Sequence, residues 1–161
     1  EATKKELNEL GINNENITVL YNGLDHDKYK PGRKSKRPRI IFVGRLKRYK
    51  RVLLLADIFK EIKKEVDAEM YVIGAGEELE NLKEKVEKNK IRDFHILGFV
   101  NDRKKVELVK GSWLAVSTSI KEGWGLTILE SNACKVPAVC FDVPLNFPEK
   151  FLRGHSRPEP V

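Results

Sequence analysis

The segment Lys121-Glu122-Gly123-Trp124-Gly125-Leu126-Thr127-Ile128-Leu129-Glu130-Ser131 sets two carboxylates eight positions apart, on either side of a Gly-Trp-Gly turn. Carboxylates accept hydrogen bonds from hydroxyls. A helix opening near Leu126 aims its free backbone N–H groups and the positive end of its dipole at the same place, which suits a phosphate. Gly123 and Gly125 let the loop come close to a ligand, and Glu130 falls just over one turn into the helix, on the face shared with Thr127 and Cys134. Two acceptors flanking an anion site suit a ligand with hydroxyls on both sides of a phosphate group, that is, a sugar nucleotide. By residue type alone, a solvated loop charge at Glu122 and a helix-face charge at Glu130 explain the pair equally well. Trp124 is either a stacking platform or the anchor of its own loop.

A second set of groups lies where an apolar run turns polar. Gly44-Arg45-Leu46, followed by Lys50, combines a glycine that admits close backbone approach with a guanidinium and an ammonium suited to a diphosphate. An exposed basic loop is the competing explanation. Gly74-Ala75-Gly76 is a fragment of the dinucleotide fingerprint with Leu79 where the third glycine belongs, so tight loop geometry accounts for it and no NAD site is read from it. His95 alternates with apolar neighbours and reads as structural. His26 and His155 belong to no constellation, and neither a Ser-His-Asp set nor a metal-ligand spacing is visible. Cys134 and Cys140 are the only cysteines and are expected as two buried small hydrophobes.

The elements that must position these residues alternate. Apolar runs at 40–44, 70–76, 94–98, 114–117 and 138–141 read as strands. Amphipathic segments at 51–65, 77–88, 102–111 and 126–135 read as helices, the third capped by Asn101-Asp102. Strands alternating with helices of this length require crossovers and a parallel sheet covered on both faces, a doubly wound α/β fold. In such sheets ligands bind beyond the carboxyl ends of the strands. Gly44-Arg45, Gly74 to Gly76, Gly98-Phe99 and the loop from Ser117 to Trp124 all fall there. Upstream, residues 2–10 read as a helix, Ile17-Thr18-Val19-Leu20-Tyr21 as a strand and 29–38 as a basic linker. The Pro-rich end after residue 143 reads as irregular.

With 161 residues, 40% hydrophobic and 34% charged, the chain fits one folded domain and not a disordered segment. No apolar run approaches the length of a membrane span. The formal net charge of +7 welcomes anionic partners without choosing between nucleic acid, anionic lipid and a phosphate-bearing small molecule. Aromatics on the basic loops are limited to Tyr29 and Tyr49, which disfavours nucleic acid.

Asn22-Gly23-Leu24-Asp25-His26-Asp27-Lys28-Tyr29-Lys30-Pro31, Gly44-Arg45-Leu46, Met70 to Gly76, Ile96-Leu97-Gly98-Phe99-Val100 and Glu122 to Ser131 resemble, in order and spacing, the group 1 (family 4) retaining glycosyltransferases. The resemblance spans Ile17 to Val143. Its most specific element is the two glutamates with seven residues between them, joined to Gly-Arg-Leu and a Lys five positions after the Arg. It implies a Rossmann-like sheet forming the C-terminal, donor-binding half of a GT-B architecture. Residues 1–37 would close the preceding domain and linker, 38–143 would bind the nucleotide-sugar, and 144–161 would be an irregular tail. Carried onto this chain, Arg45 and Lys50 neutralise the donor diphosphate beside Gly44, Glu122 contacts the transferred sugar, the amides of Gly125, Leu126 and Thr127 approach the phosphates, and Gly123 and Trp124 belong to the same donor-binding loop. Glu130 accepts from the ribose, and Gly98, Phe99 and Val100 lie along the base. The implied reaction is hexosyl transfer with retention from UDP- or GDP-hexose, mannosyl or glucosyl, with neither metal nor cofactor. The acceptor, a glycan or lipid-linked molecule, would be held by an N-terminal domain that these residues lack, and without it the chain is expected to be inactive. With no apolar run long enough to cross a bilayer and an ordinary polar helix at Glu1, the chain is expected in the cytoplasm, with a peripheral position at the membrane left open. The alternative is a noncatalytic basic module that binds nucleic acid or anionic lipid.

Overall fold

The computed structural model describes residues 2–12, 17–20, 22–122 and 124–141. Five strands, β1 (Arg39–Val43), β2 (Glu69–Ile73), β3 (Phe94–Gly98), β4 (Leu114–Ser117) and β5 (Ala138–Cys140), form one parallel sheet in the order β3-β2-β1-β4-β5. Helices α1 (Ala2–Glu9), α2 (Leu53–Glu65), α3 (Leu79–Lys88), α4 (Asp102–Gly111) and α5 (Leu126–Ala133) complete the described elements. This is the doubly wound α/β fold read from the sequence.

Alternation along β1 assigns the two faces. Ile40 and Phe42 pack into a core with Leu55, Ala56 and Phe59 of α2 and Leu82 of α3. Ile41 faces the opposite core, with Val106, Leu108 and Val109 of α4, Cys134, Val136 and Tyr29. A central strand buried on both faces has no polar side to show, which is why it reads as a continuous apolar run. The cap expected at Asn101 is present: its side chain accepts from the Lys104 N–H at 2.9 Å.

Two expectations fail. Residues 17–20 of the anticipated Ile17–Tyr21 strand carry no strand ladder, and Leu20 is 83% exposed. Apolar character does not make a strand without a neighbour to pair with, and none among the described residues supplies one. Cys140, expected to be buried, is exposed, because β5 is a short edge strand whose last residues lie outside the cores, whereas Cys134 is buried as anticipated. The expectations for Tyr21 and for the tail at 144–161 fall outside the described residues.

The glycines of the β2 loop are explained by packing. A Cβ on Gly74 would stand 1.8 Å from the Gly44 carbonyl oxygen, and one on Gly76 would stand 2.3 Å from that of Leu46. The loop after β2 is thus laid directly on the loop after β1, bonded through Leu46 N–H to Ala75 O at 2.9 Å and Glu78 N–H to Leu46 O at 2.9 Å. Gly74→Ala should destabilise the chain by about 2–4 kcal/mol in urea melts, since clash adds to backbone strain. Gly98→Ala, whose Cβ would meet nothing within 4 Å at φ 65°, should cost only about 1–2 kcal/mol of left-handed strain. Equal losses would show that the loop contact is not the cause.

At the amino ends of the strands, Arg37 pairs with Asp93 at 3.2 Å and Glu69 at 3.4 Å, and Lys63 with Asp93 at 2.8 Å. Hydrogen bonds from Arg37 and then Lys63 hold the Asp93 carboxyl down at about 2. A depressed folded value stabilises fully above the ordinary aspartate value of about 3.9, and that stabilisation disappears as pH falls through 2. Arg37→Met should therefore flatten the fall in stability between about pH 4 and pH 2 in acid titrations followed by circular dichroism.

Candidate functional site

Sheet order runs outward from β1 to β3 on one side and through β4 to β5 on the other, so the chain reverses direction between β1 and β4. The loops leaving these two strands diverge there and open a crevice. After β1, Leu46 plugs the core and a single 3₁₀ turn, Arg48–Lys50, ends at Arg51 in the left-handed region at φ 49°. That turn presents Lys50 to the crevice. After β4, the Thr118 hydroxyl donates to the Lys50 carbonyl at 2.7 Å and the Ile120 N–H to the Tyr49 carbonyl at 3.0 Å, so the two loops are tied through the backbone of the first. Their outcome is an ion pair between Lys50 Nζ and Glu122 Oε1, with side chains only 13% and 15% exposed. Ser119 Oγ donates to the same Glu122 oxygen at 2.8 Å.

The third wall is the start of α5. Gly125 enters the helix at φ 56°, a left-handed conformation that glycine adopts without penalty. The Thr127 hydroxyl reaches the Val43 carbonyl at 3.3 Å, which holds this helix end against the end of β1. First-turn N–H groups have no partner within a helix, so α5 directs donors into the crevice. The result is a cleft of about 440 Å³ lined by Gly44, Arg45, Lys50, Glu122, Trp124, Gly125, Leu126 and Thr127. Eight of the residues singled out from the sequence are thereby brought together, from two separate stretches of chain, 44–50 and 122–127.

The others lie elsewhere or outside the description. Gly123 is not among the described residues. Glu130 does not line the cleft. It lies three residues beyond Thr127, about 4.5 Å further along the helix axis, and its oxygens stand 3.2 and 3.4 Å from Lys105 Nζ of α4. Gly98 accepts from the Gly74 N–H at 2.8 Å, Phe99 is 86% exposed, and Val100 packs against the core around Tyr29. These three lie at and just after the end of β3, an edge strand separated by β2 from the β1 side of the cleft.

Residue type did not single out Tyr49, whose hydroxyl accepts from Arg45 Nη2 at 3.0 Å, nor Ser119 or Lys121. Position offered a signal for all three, since each sits within three residues of a residue already singled out. Away from the cleft, Glu69, Asp93 and His95 bring one ligand atom each within 4.8 Å of one another, the only such metal-compatible group among the described residues. Arg37 and Lys63 already pair with its carboxylates, which disfavours a dication there. The His95 ring packs 4.6 Å from Tyr71, in keeping with its structural reading.

Residues 25–154 match the family described as glycosyl transferases group 1. The chain belongs to this family. Among curated relatives of this chain are the poly(glycerol-phosphate) alpha-glucosyltransferase of Bacillus subtilis, 32% identical over 67% of the chain, and the N-acetyl-alpha-D-glucosaminyl L-malate synthase of Bacillus anthracis, 29% identical over 83%. The matches span 16% and 38% of those proteins' own lengths. TarM of S. aureus, solved in complex with fondaparinux, alpha-GlcNAc-glycerol and UDP, superposes with a TM-score of 0.77 at 24% identity, over 94% of this chain and 30% of that one. HepE of Anabaena, solved in complex with UDP, gives a TM-score of 0.70 at 21% identity, over 88% of this chain and 43% of that one. These two likenesses are of fold.

Lys50 and Glu122 compensate each other in a largely buried setting, so removing either leaves the other charge unpaired. In a double-mutant cycle of Lys50→Met and Glu122→Gln, the doubly substituted chain should be more stable than the sum of single losses predicts, by about 1–3 kcal/mol. Additive losses in urea melts would show that the pair contributes nothing beyond its separate contacts.

Proposed function

We propose that this chain is the nucleotide-sugar-binding part of a retaining hexosyltransferase. The observation that carries this reading is the convergence of Arg45, Lys50, the start of α5 and Glu122 on one cleft at the sheet's reversal point. The diphosphate of a UDP- or GDP-hexose lies against the α5 N–H groups, with Arg45 and Lys50 as its cations. Glu122, already an acceptor from Ser119, turns to hydroxyls of the sugar, and Glu130 takes those of the ribose. The base runs over Gly98, Phe99 and Val100.

In the reaction, the bond between the anomeric carbon and the diphosphate oxygen breaks and a bond to an acceptor oxygen forms. Negative charge grows on the leaving oxygen, where fixed N–H donors and two cations stabilise the transition state more than the bound donor. These groups supply the electrostatic assistance by themselves, which is the basis for proposing transfer without a metal. Glu122 is a positioning group for the sugar. Retention and the hexosyl identity of the donor rest on the motif resemblance. The acceptor, glycan or lipid-linked, is held by groups outside these residues, so the chain alone binds donor without transferring it. The reading puts this reaction on the cytoplasmic side.

Binding of a nucleotide to the folded state raises stability by about 2.7 kcal/mol at a hundredfold excess over Kd, or about 5–10 °C in melting temperature for a chain of this size. A metal-free panel of UDP, GDP, ADP and their sugar conjugates should show such a shift for one base. Arg45→Ala and Glu122→Gln should reduce it, the second for the conjugate more than for the bare diphosphate. A shift that comes equally from heparin or RNA and vanishes with added salt would instead mark a basic polyanion-binding module.

A further inference from the structure

Tyr29, Lys105 and Glu130 form a cluster between α4, α5 and the segment that leads into the sheet. Lys105 Nζ stands 3.2 Å from Glu130 Oε1, 3.4 Å from Oε2, 3.3 Å from Asp102 and 5.3 Å from the centre of the Tyr29 ring. Glu130 and Lys105 expose only 15% and 20% of their side chains, and Tyr29 is 5% exposed. Burial raises the Tyr29 hydroxyl above its ordinary value, and its hydrogen-bonding partners are these same two side chains. Burial alone would lower the Lys105 ammonium. The Tyr29 hydroxyl and the Glu130 carboxylate outweigh it and raise that group, so Lys105 is a cation at neutral pH.

A single ammonium set nearly evenly between both oxygens fixes the plane of a carboxylate as well as its charge. An unclamped glutamate on a helix face samples several rotamers and loses entropy when it is ordered by a ligand. We propose that Lys105, held by Tyr29 and Asp102, is a positioning residue that pre-orders Glu130 to accept two hydrogen bonds from the adjacent ribose hydroxyls of the nucleotide. This rests on the donor-site reading above and goes beyond it, since it assigns to α4 a part in selecting ribose. Two acceptors on one rigid carboxylate match two hydroxyls on adjacent carbons. The arrangement also runs outward: Asp102 pairs with Lys28 as well as Lys105, and Asp25 caps the turn that carries Lys28 through bonds of 3.0 Å to the Asp27 and Lys28 N–H groups. The segment preceding the sheet is thereby latched to the residue that orders Glu130.

The test compares UDP, GDP and ADP, each beside its 2′,3′-dideoxy form, by titration calorimetry on the full chain. Two hydrogen bonds to a charged acceptor make the dideoxy form of the selected nucleotide weaker by about 10–100-fold for the unsubstituted chain. Lys105→Met keeps the aliphatic stem and should shrink that ratio to about 3-fold or less by weakening the ribose form, with the dideoxy affinity nearly unchanged. Lys105→Arg should restore most of the ratio, and Tyr29→Phe, which removes only the hydroxyl, should lower it partway. A full dideoxy penalty in a folded Lys105→Met chain overturns the proposal alone. Equal weakening of both forms also overturns it, because that marks a general structural role. Failure of the unsubstituted chain to bind any nucleotide overturns the donor-site reading together with this one.

Discussion

The ion pair between Lys50 and Glu122 is the contact on which the cleft depends. The two residues lie 72 positions apart in the chain, on loops that a doubly wound sheet drives in opposite directions. Pairing of β1 with β4 brings the strand ends together, but it does not fix the loops beyond them. Bonds from Thr118 to the Lys50 carbonyl and from Ile120 to the Tyr49 carbonyl set the backbone, and the ion pair then closes the crevice with charge. A pair as little exposed as this gives up much of its hydration. Ser119 offsets part of that cost by donating to Glu122, and an isolated cation at the same place would be costlier still.

The glycines serve the same end from below. The loop after β1 rests on the loop after β2 at Gly74 and Gly76, with no room for a Cβ, and the loop after β2 rests in turn on Gly98 O at the end of β3. Two loops and the end of β3 are thus stacked at the carboxyl edge by backbone hydrogen bonds, and a binding edge built this way is held by main chain and not by flexible side chains. Rigidity of that kind lowers the entropy that a ligand must overcome. It also explains why a Gly-Ala-Gly sequence occurs here without forming a dinucleotide fingerprint.

What was legible in the sequence is what depends on local periodicity. The continuous apolar run of β1, the helical stripes at Leu55 and Phe59 or Val106 and Val109, and the cap at Asn101 all express burial or bonding within a few residues, and each appears in the structure. Boundaries shifted where a local backbone event intervened: α2 begins at Leu53 and not Arg51 because Arg51 takes the left-handed conformation that ends the preceding turn. The eight cleft residues were legible because motif spacing encodes which loops meet. Pairings across the fold were not legible. Lys105 looks like one more surface lysine among its neighbours Arg103 and Lys104, and only the crossing of α4 and α5 puts it on Glu130. The exposure of Cys140 and the missing ladder at residues 17–20 fail for the same reason, since both depend on a neighbouring element that no local pattern specifies.

On the proposed reading, the pair that organises the cleft must open when the donor arrives. A diphosphate carries more negative charge than a carboxylate and competes for Lys50, while the sugar brings hydroxyls that replace the ammonium as donors to Glu122. The exchange leaves both protein groups with partners throughout. Its net cost is therefore small compared with exposing a bare charge in a little-solvated recess. A bare nucleoside diphosphate supplies only half of this exchange: it takes Lys50 and leaves Glu122 with Ser119 alone. The cleft's own electrostatics thus favour the sugar conjugate over the product, and release of the spent diphosphate is assisted by Glu122 reclaiming its lysine.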